Sequence, residues 1–176
     1  MHPSSKTAER LLAAARDLAE QLKAADKRIV FAESCTAGLV SATLARIPGI
    51  SQYLCGSAVT YRNDTKIQWL EVTQNAIAHA GVVSAVVARQ MASGVLQATP
   101  EADLAVAITG HLGPNAPEGL DGVIFIGTAT RLGEPIAAKH TLPADVGEEQ
   151  LRRIERQHLA AQSVLEAGTT LCGGSP

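Results

Sequence analysis

The chain has 176 residues, a length that favours one domain around a single core. Hydrophobic residues make up 46% of the chain and charged residues 18%, a balance that excludes intrinsic disorder. The formal net charge of -2, with only two Phe, two Tyr and one Trp, argues against the basic and aromatic surfaces that bind nucleic acid.

The first half of the chain predicts a helix followed by two strand-helix units. Apolar residues recur at three- and four-residue steps over 7–25, as is typical of an amphipathic helix. β-branched and aromatic residues at 28–32 predict a strand, and an apolar stripe over 39–47 predicts the helix that follows it. We expect a second strand over 55–61 and then a short helix with Asn63 as its N-cap.

The second half adds a helix, a buried strand and a hairpin. Ser84 is typical of an N-cap, and we expect its helix to end near Ala98. The continuous apolar run at 104–108 indicates a strand covered on both faces. The runs 123–130 and 135–142 flank a Gly-containing loop, which predicts an antiparallel pair.

The last helix is predicted from about Gly147 to Glu166, and the Gly/Ser/Thr-rich tail over 167–176 is expected to be flexible. One domain over 1–176, with its ordered core at about 7–166, accounts for these elements. Helices before, between and after the strands predict an α/β fold. We expect a three-layer α/β/α sandwich with a mixed, mostly parallel sheet.

Cysteine usage and hydropathy indicate a cytoplasmic protein. No apolar run reaches about 18 residues, so we expect neither a membrane span nor a signal peptide. The three cysteines, Cys35, Cys55 and Cys172, cannot all pair with one another and form no Cys-x-x-Cys motif. Reduced thiols are therefore expected rather than a disulfide framework.

Three polar loops follow strands, at 33–38, 61–66 and 109–122. Open α/β sheets bind ligands at the carboxyl ends of their strands, so we expect the three loops to gather around one site. Ser34 lies just before a helix, where free amides and the helix dipole would stabilise an oxyanion beside a serine nucleophile. The alternative is that Ser34 or Thr36 only caps that helix.

Lys66 falls in the first turn of the helix that Asn63 would cap, where the dipole favours a neutral amine. A neutral lysine can act as a general base, so Ser34 and Lys66 together would form a Ser-Lys dyad. Tyr61 could relay a proton or donate a hydrogen bond. The alternatives are a solvated lysine and a tyrosine that only packs its ring.

The segment from Thr109 to Pro114 supplies glycines and exposed amides that can hold a phosphate or carboxylate. His111 could act there as an acid or a base, and a Gly/Pro turn without chemical consequence is the alternative. The segment matches neither a P-loop nor a GxGxxG motif. The chain also has no GxSxG nucleophile elbow, and its histidines show no metal-ligand spacing.

Taken together, three segments resemble the motifs of the CinA C-terminal domain family. They are Ala32-Glu33-Ser34-Cys35-Thr36-Ala37-Gly38, then Val59-Thr60-Tyr61-Arg62-Asn63-Asp64-Thr65-Lys66, then Ile108-Thr109-Gly110 followed by Gly113-Pro114. The family's motifs run approximately AESCTGG, YSNxxK and TGIAGPxGG, and the chain carries them in that order from about residue 8 to 166. Three ordered motifs are far more specific than any one of them.

The resemblance implies an amidase that needs no metal and no cofactor, because family members of known activity are nicotinamide-nucleotide amidases. They hydrolyse the carboxamide of nicotinamide mononucleotide to nicotinic acid mononucleotide and ammonia. By position, the resemblance implies Ser34 as nucleophile of an acyl-enzyme, Lys66 as its base and Tyr61 as an assisting group. It also implies substrate contacts from Glu33, Cys35, Thr36, Gly38, Asn63, Thr109, Gly110, His111 and Gly113.

The chain departs from the family where the substrate is expected to bind. His111-Leu112 stands where Ile-Ala is usual, and 115–121 is shorter and lacks the usual glycine run and lysine. Near 143–146 the family's GDR sequence is absent, so an arginine that would meet a phosphate is missing. Arg152 or Arg153 could replace it only by reaching from a helix. These departures bear on the substrate rather than on the fold.

The leading hypothesis is a Ser-Lys amidohydrolase acting on a pyridine nucleotide or a related small amide. The alternatives are the same machinery acting on a different amide or ester, and a non-catalytic domain that binds a ligand or docks a partner. We expect a small-molecule substrate, no nucleic-acid or membrane partner, and a homo-oligomer formed through an apolar stripe on the first or last helix. Longer family proteins carry an additional N-terminal domain, for which 176 residues leave no room.

Overall fold

The computed structural model of the protein describes residues 3–146 and 151–174. Its helices and strands follow in the order α1 (Ser5–Ala25), β1 (Ile29–Glu33), α2 (Leu39–Leu44), β2 (Leu54–Val59), α3 (Asn63–Leu70), α4 (Gln74–Ala80), α5 (Ala85–Ala98), β3 (Leu104–Gly110), β4 (Val123–Thr130), β5 (Ile136–Thr141) and α6 (Arg152–Gly173). Among these residues, no helix combines the length and the hydropathy needed to span a membrane.

A mixed five-stranded sheet forms the middle layer, with the strand order β2-β1-β3-β4-β5. β1 pairs in parallel with both β2 and β3, so that Phe31 lies opposite Ser57 on one side and Val106 on the other. β4 runs antiparallel to β3 and β5, which confirms the predicted hairpin. Because β1, β2 and β3 point the same way, their carboxyl ends meet at one edge of the sheet.

Helices cover both faces of the sheet, as the three-layer prediction requires. The side chains of Phe31 and Val106 join a cluster formed with α1, α2 and α6. Their neighbours Ala32 and Ala105 join a second cluster formed with α3, α4 and α5. Successive residues of a strand point to opposite faces, so a central strand covered by two helical layers is apolar over most of its length.

α6 extends beyond its predicted end at Glu166, so residues 167–173 are helical rather than the flexible tail expected there. The helix continues to Gly173, with Gly168 and Cys172 buried in its last turns. A Cβ at position 168 would lie 3.2 Å from the side chain of Leu18, so this glycine allows α1 to pack closely on α6. The predicted helix start at Gly147 lies outside the described residues.

The apolar face of α1 is buried inside the chain rather than left for a partner. Leu11, Leu18 and Leu22 are buried and belong to the cluster that also contains Ala160 and Val164 of α6. The stripe expected to join subunits on α1 is therefore already used by the fold.

The start of α3 also differs from its prediction, because Arg62 rather than Asn63 is the N-cap. Arg62 keeps an extended backbone, and its amide donates to the Thr65 hydroxyl oxygen at 3.3 Å. The Thr65 hydroxyl donates in turn to the Arg62 carbonyl at 2.9 Å. The Thr65 side chain, inside the helix, therefore fixes the N-cap residue Arg62, and Asn63 becomes the first helical residue.

Helix α4 was not predicted from the sequence.

Candidate active site

The three polar loops converge at the carboxyl edge of the sheet around a cavity of about 240 Å³. Of the residues predicted to form the site, nine line it: Ser34, Cys35, Tyr61, Asn63, Lys66, Thr109, Gly110, His111 and Gly113. The other three predicted contacts, Glu33, Thr36 and Gly38, are not among its lining residues.

Ser34 and Lys66 form a buried pair in this cavity. The Lys66 amine nitrogen Nζ lies 2.9 Å from the Ser34 hydroxyl oxygen Oγ, and it donates to the Thr60 carbonyl at 2.6 Å. Lys66 is 1% exposed and Ser34 8% exposed. The carbonyl at the end of β2 therefore holds the amine against the hydroxyl that follows β1.

Burial controls the protonation of this amine. Removal of Lys66 from water lowers its pKa from 10.5 to about 8, with a small opposing effect from Cys35. The expected lowering of the pKa is thus found, and its largest cause is lost hydration. At about pH 7, roughly a tenth of such an amine is neutral, which is the form that can accept a proton.

Cys35, beside Ser34, lines the same cavity but is not primed as a nucleophile. Burial raises the pKa of its thiol to about 12. A thiol reacts through its thiolate, so Cys35 stays protonated and unreactive at physiological pH. The Ser34 hydroxyl oxygen, in contrast, has the Lys66 amine 2.9 Å away.

Glu33 is held by donors of the fold and is not among the residues that line the cavity, so its substrate contact stays a prediction. Its carboxylate is fully buried and accepts hydrogen bonds from the amides of Gly38, Val40 and Ser41 at 2.9–3.1 Å. The hydroxyls of Ser41 and Ser57 also donate to it. The carboxylate therefore satisfies the free amides at the start of α2.

This contact changes the expected source of an oxyanion hole. The amides at the start of α2 were expected to face the substrate, but Glu33 occupies them. Within the described part of the chain, the amides of Cys35 and Thr36 donate to no protein acceptor. The backbone amides that remain free beside Ser34 are therefore those of Cys35 and Thr36, in the loop that precedes α2.

Gln157 on α6 holds this loop and was not predicted. Its side-chain amide donates to the carbonyls of Cys35 at 3.4 Å and Thr36 at 3.1 Å. In a trans peptide the carbonyl and the following N–H point in opposite directions, so this contact orients the Thr36 amide away from α6. The Thr36 side chain is buried, and its hydroxyl has no partner among the described residues.

Arg156 holds the third loop from the same helix. Its guanidinium is buried and forms two hydrogen bonds of 2.8 Å with the Asp121 carboxylate. It also donates to the carbonyls of Leu112 and Pro143. Bidentate arginine pairs constrain geometry strongly, so this residue connects the loop after β3 to α6.

Of the two arginines considered from the sequence, Arg153 reaches the cavity and Arg152 does not line it. Arg153 donates to the Gly113 carbonyl and, at 3.1 Å, to the Tyr61 hydroxyl oxygen. Tyr61 is 56% exposed. No hydrogen bond among the described residues joins the Tyr61 hydroxyl to Ser34 or Lys66, so its hydroxyl contacts the arginine rather than the dyad.

The CinA C-terminal domain family matches residues 12–167 of the chain. The chain belongs to this family. It is 36% identical over 154 residues to a putative competence-damage inducible protein of Lacticaseibacillus casei, covering 87% of this chain and 37% of that protein. It is 45% identical over 107 residues to a CinA-like protein of Geobacter metallireducens, covering 60% of this chain and 26% of that protein. The alignments thus span about a quarter to a third of these CinA relatives' length.

Solved structures of competence/damage-inducible proteins share the fold. The competence/damage inducible protein CihA from Agrobacterium tumefaciens superimposes with a TM-score of 0.82 at 28% identity, covering 95% of each chain. The competence damage-inducible protein A (ComA) from Klebsiella pneumoniae gives 0.83 at 24% identity, covering 94% of this chain and 99% of that one. The second likeness concerns the fold alone.

Among the described residues, no group of His, Cys, Asp or Glu side chains could hold a metal ion.

Proposed function

We propose that the protein is an amidohydrolase that converts nicotinamide mononucleotide to nicotinic acid mononucleotide and ammonia. The observation that carries the proposal is the 2.9 Å contact between Lys66 Nζ and Ser34 Oγ inside a cavity at the carboxyl edge of the sheet. Membership of the CinA family supports the choice of substrate, because the family members of known activity are nicotinamide-nucleotide amidases.

In the first step, Lys66 takes the hydroxyl proton as Ser34 Oγ attacks the carboxamide carbon. A tetrahedral intermediate forms, and its oxyanion requires hydrogen-bond donors. We assign the Cys35 and Thr36 amides to that role, since both lie directly after the nucleophile and lack a described acceptor. Such donors are typically worth about 2.7–4 kcal/mol each in the transition state.

Collapse of the intermediate breaks the carbon–nitrogen bond. The lysine ammonium returns its proton to the departing nitrogen, which leaves as ammonia, and Ser34 remains acylated. Lys66 is then neutral again and can deprotonate a water molecule that attacks the acyl carbon. As the carbon–Oγ bond breaks, the Lys66 ammonium returns this proton to Oγ, which restores the serine hydroxyl and releases the carboxylate product. The Thr60 carbonyl keeps the amine in place through both steps.

Tyr61 takes a positioning role in this proposal rather than a proton-transfer role. Its hydroxyl contacts Arg153 at 3.1 Å, whereas the amine that moves protons contacts Ser34 and Thr60. Proton transfer is therefore assigned to Lys66 alone.

Assembly into a homo-oligomer stays a prediction. Light scattering of the purified protein tests it, and a monomeric mass would contradict it.

The test is ammonia release from nicotinamide mononucleotide by the purified protein, with a chelator present. Ser34→Ala and Lys66→Met should each reduce the rate by at least about 10³-fold. The double variant should lose little more than either single variant, since the two residues act as a unit. Ser51→Ala and Lys139→Met change exposed residues of the same types and should retain the native rate.

No release by the native protein would overturn the assignment of nicotinamide mononucleotide. Release of ammonia or alcohol from another amide or ester, lost in Ser34→Ala, would then support the same machinery with a different substrate. Native ligand or partner binding without any turnover would support the non-catalytic alternative.

A further inference from the structure

One wall of the active-site cavity rests on an ion pair that is not part of its described lining. The wall is residues 111–114 of the loop after β3, all four of which line the cavity, whereas Asp121 and Arg156 are not among the described lining residues. Arg156 donates two hydrogen bonds of 2.8 Å to the Asp121 carboxylate and one of 3.4 Å to the Leu112 carbonyl. The pair therefore contacts the backbone of the wall from outside the cavity.

Glycine at two positions brings the backbone into close contact with this pair. A Cβ at position 113 would lie 2.7 Å from a carboxylate oxygen of Asp121 and 3.0 Å from a guanidinium nitrogen of Arg156. A Cβ at position 122 would lie 3.3 Å from the guanidinium carbon. Because groups packed at such distances cannot move independently, the position of the pair sets the position of the wall.

Arg156 is the buried member of the pair. Its side chain is 2% exposed, whereas that of Asp121 is 56% exposed. The guanidinium also donates to the Pro143 carbonyl at 3.1 Å, so it joins α6 to the chain both before β4 and after β5. Hydrogen bonds from Arg156 lower the pKa of the Asp121 carboxyl, so the pair stays charged near neutral pH. A carboxylate at the surface thus completes a buried set of contacts, and it can be changed without opening the core.

We propose that Asp121 and Arg156 are positioning residues that hold the wall where the substrate packs against it, and so determine how tightly the cavity binds its substrate. The inference rests on the proposed function, because it concerns the same cavity. Asp121 lies in the segment 115–121, where the chain departs from the glycine-rich motif of the family. The pair therefore belongs to the part of the loop that the family resemblance does not predict.

Neither residue is catalytic in this proposal. The contact between Ser34 and Lys66 joins the residue after β1 to α3, whereas the contacts described for the pair lie in the loop after β3 and at Pro143. A displaced wall should therefore weaken substrate binding and leave the dyad intact. Loss of a contact that is made equally in the ground state and the transition state raises KM and leaves kcat nearly unchanged.

The first test is steady-state kinetics on nicotinamide mononucleotide. Asp121→Asn keeps the size of the side chain and removes its charge, and it should raise KM at least about fivefold with kcat within about twofold of the native value. Asp121→Glu retains the carboxylate and should restore part of the native KM. Arg156→Lys loses the bidentate geometry and should act as Asp121→Asn does. The double variant should raise KM little further, because the two residues act as a unit. Asp17→Asn changes an exposed aspartate outside the described lining and should match the native protein.

Hydrogen exchange measured by NMR needs no turnover and separates a local role from a general loss of stability. The His111 amide donates to the Val123 carbonyl at the point where β3 ends and the wall begins. In Asp121→Asn this amide should exchange at least about tenfold faster, while the amides of α1 keep their native rates.

A native KM in Asp121→Asn, measured well below its melting temperature, overturns the inference, whether or not the stability has fallen. So does exchange that speeds up equally in α1 and at His111. In either case the proposed function still stands if the native protein releases ammonia. If the native protein releases none from nicotinamide mononucleotide, the proposed function fails, and the exchange rate of the His111 amide still decides whether the pair holds the wall.

Discussion

Lys66 Nζ lies 2.9 Å from Ser34 Oγ, although 32 positions separate the two residues in the chain. β1 and β2 are parallel neighbours, so the residue after β1 and the helix after β2 emerge at the same edge of the sheet. The third strand of the parallel group, β3, adds the loop that closes the cavity. The distance between amine and hydroxyl is thus a property of the sheet, and the chemistry depends on keeping it.

The pH dependence of turnover should follow the ionisation of Lys66. Burial lowers its pKa from 10.5 to about 8, and only the neutral amine can accept the serine proton. We expect kcat/KM to fall about tenfold for each pH unit below about 8 and to level off above it. Initial rates of ammonia release between about pH 6 and 9.5 test this. A rate that declines from pH 7 to 9 contradicts the assignment of Lys66 as base.

The same lysine should make stability depend on pH. Its pKa is lower in the folded protein than in the unfolded chain, so between about 8 and 10.5 the unfolded chain binds more protons. The cost of burying the charged form is present in full below about pH 8 and is relieved as the pH rises towards 10.5. We therefore expect the native protein to gain stability relative to Lys66→Met across that window, on the order of 3 kcal/mol.

Urea unfolding of both proteins at several pH values in this window measures the difference between them. Lys139→Met removes an exposed lysine and serves as the control, whose difference from the native protein should not change with pH in this way. Unfolding free energies that stay parallel for the native protein and Lys66→Met would contradict the lowered pKa.

Substitution of Glu33 should lower the stability of the fold more than it changes the kinetics. Glu33→Gln keeps the size but replaces one accepting oxygen by a donor that faces other donors, and should cost about 1–3 kcal/mol. Glu33→Ala leaves the amides of Gly38, Val40 and Ser41 without their partner and should cost more. Urea denaturation measures both, with exposed Glu71→Gln as the control. A raised KM with native stability would restore the substrate contact expected from the sequence.

Gln157 should affect the rate of the chemical step. Its amide holds the carbonyls of Cys35 and Thr36, and so fixes the direction of a proposed oxyanion donor. We expect Gln157→Leu to lower kcat about 10- to 100-fold with little change in KM, since the oxyanion exists only in the transition state.

Steady-state kinetics on nicotinamide mononucleotide separate kcat from KM for this variant. Gln162→Leu changes a glutamine of the same helix that does not line the cavity, and should keep the native kcat. A purely structural role for Gln157 would instead appear as a lower melting temperature with native kinetics at low temperature.

Gly94 should control the position of the dyad from a distance. A Cβ at this position of α5 would lie 2.0 Å from the Leu70 carbonyl oxygen, so α3 and α5 touch backbone to backbone. Gly94→Ala must push α3 away, which should cost about 1–3 kcal/mol and reduce turnover, because α3 carries Lys66. In Gly173→Ala the added methyl meets nothing within 4 Å, so this variant should behave as the native protein. Native turnover and stability in Gly94→Ala would show that α3 is not constrained as described.

Much of the fold was predictable because local patterns of apolar residues determine the type of each helix and strand. The apolar periodicity of α1 and the continuous apolar run of β3 predicted their type and burial. Residues 167–173 are helical rather than flexible because tertiary packing overrides the low helix propensity of glycine. Gly168 is enclosed by Leu18 and Ile29, and that contact exists only once α1 and α6 are in place.

The sequence by itself determined which residues could carry the chemistry, since three ordered motifs placed Ser34 directly after one strand and Lys66 in the helix after the next. Only the tertiary structure decided how deeply these two residues are buried and how easily Lys66 loses its proton. Burial of Lys66 depends on neighbours from other elements, and so does its lowered pKa. Two further residues depend on the tertiary structure in the same way. Glu33 lies in a motif but binds amides of the fold, whereas Arg153 lies outside the motifs but reaches the cavity. Charge and hydration depend on what surrounds a group in space, which local sequence patterns do not encode.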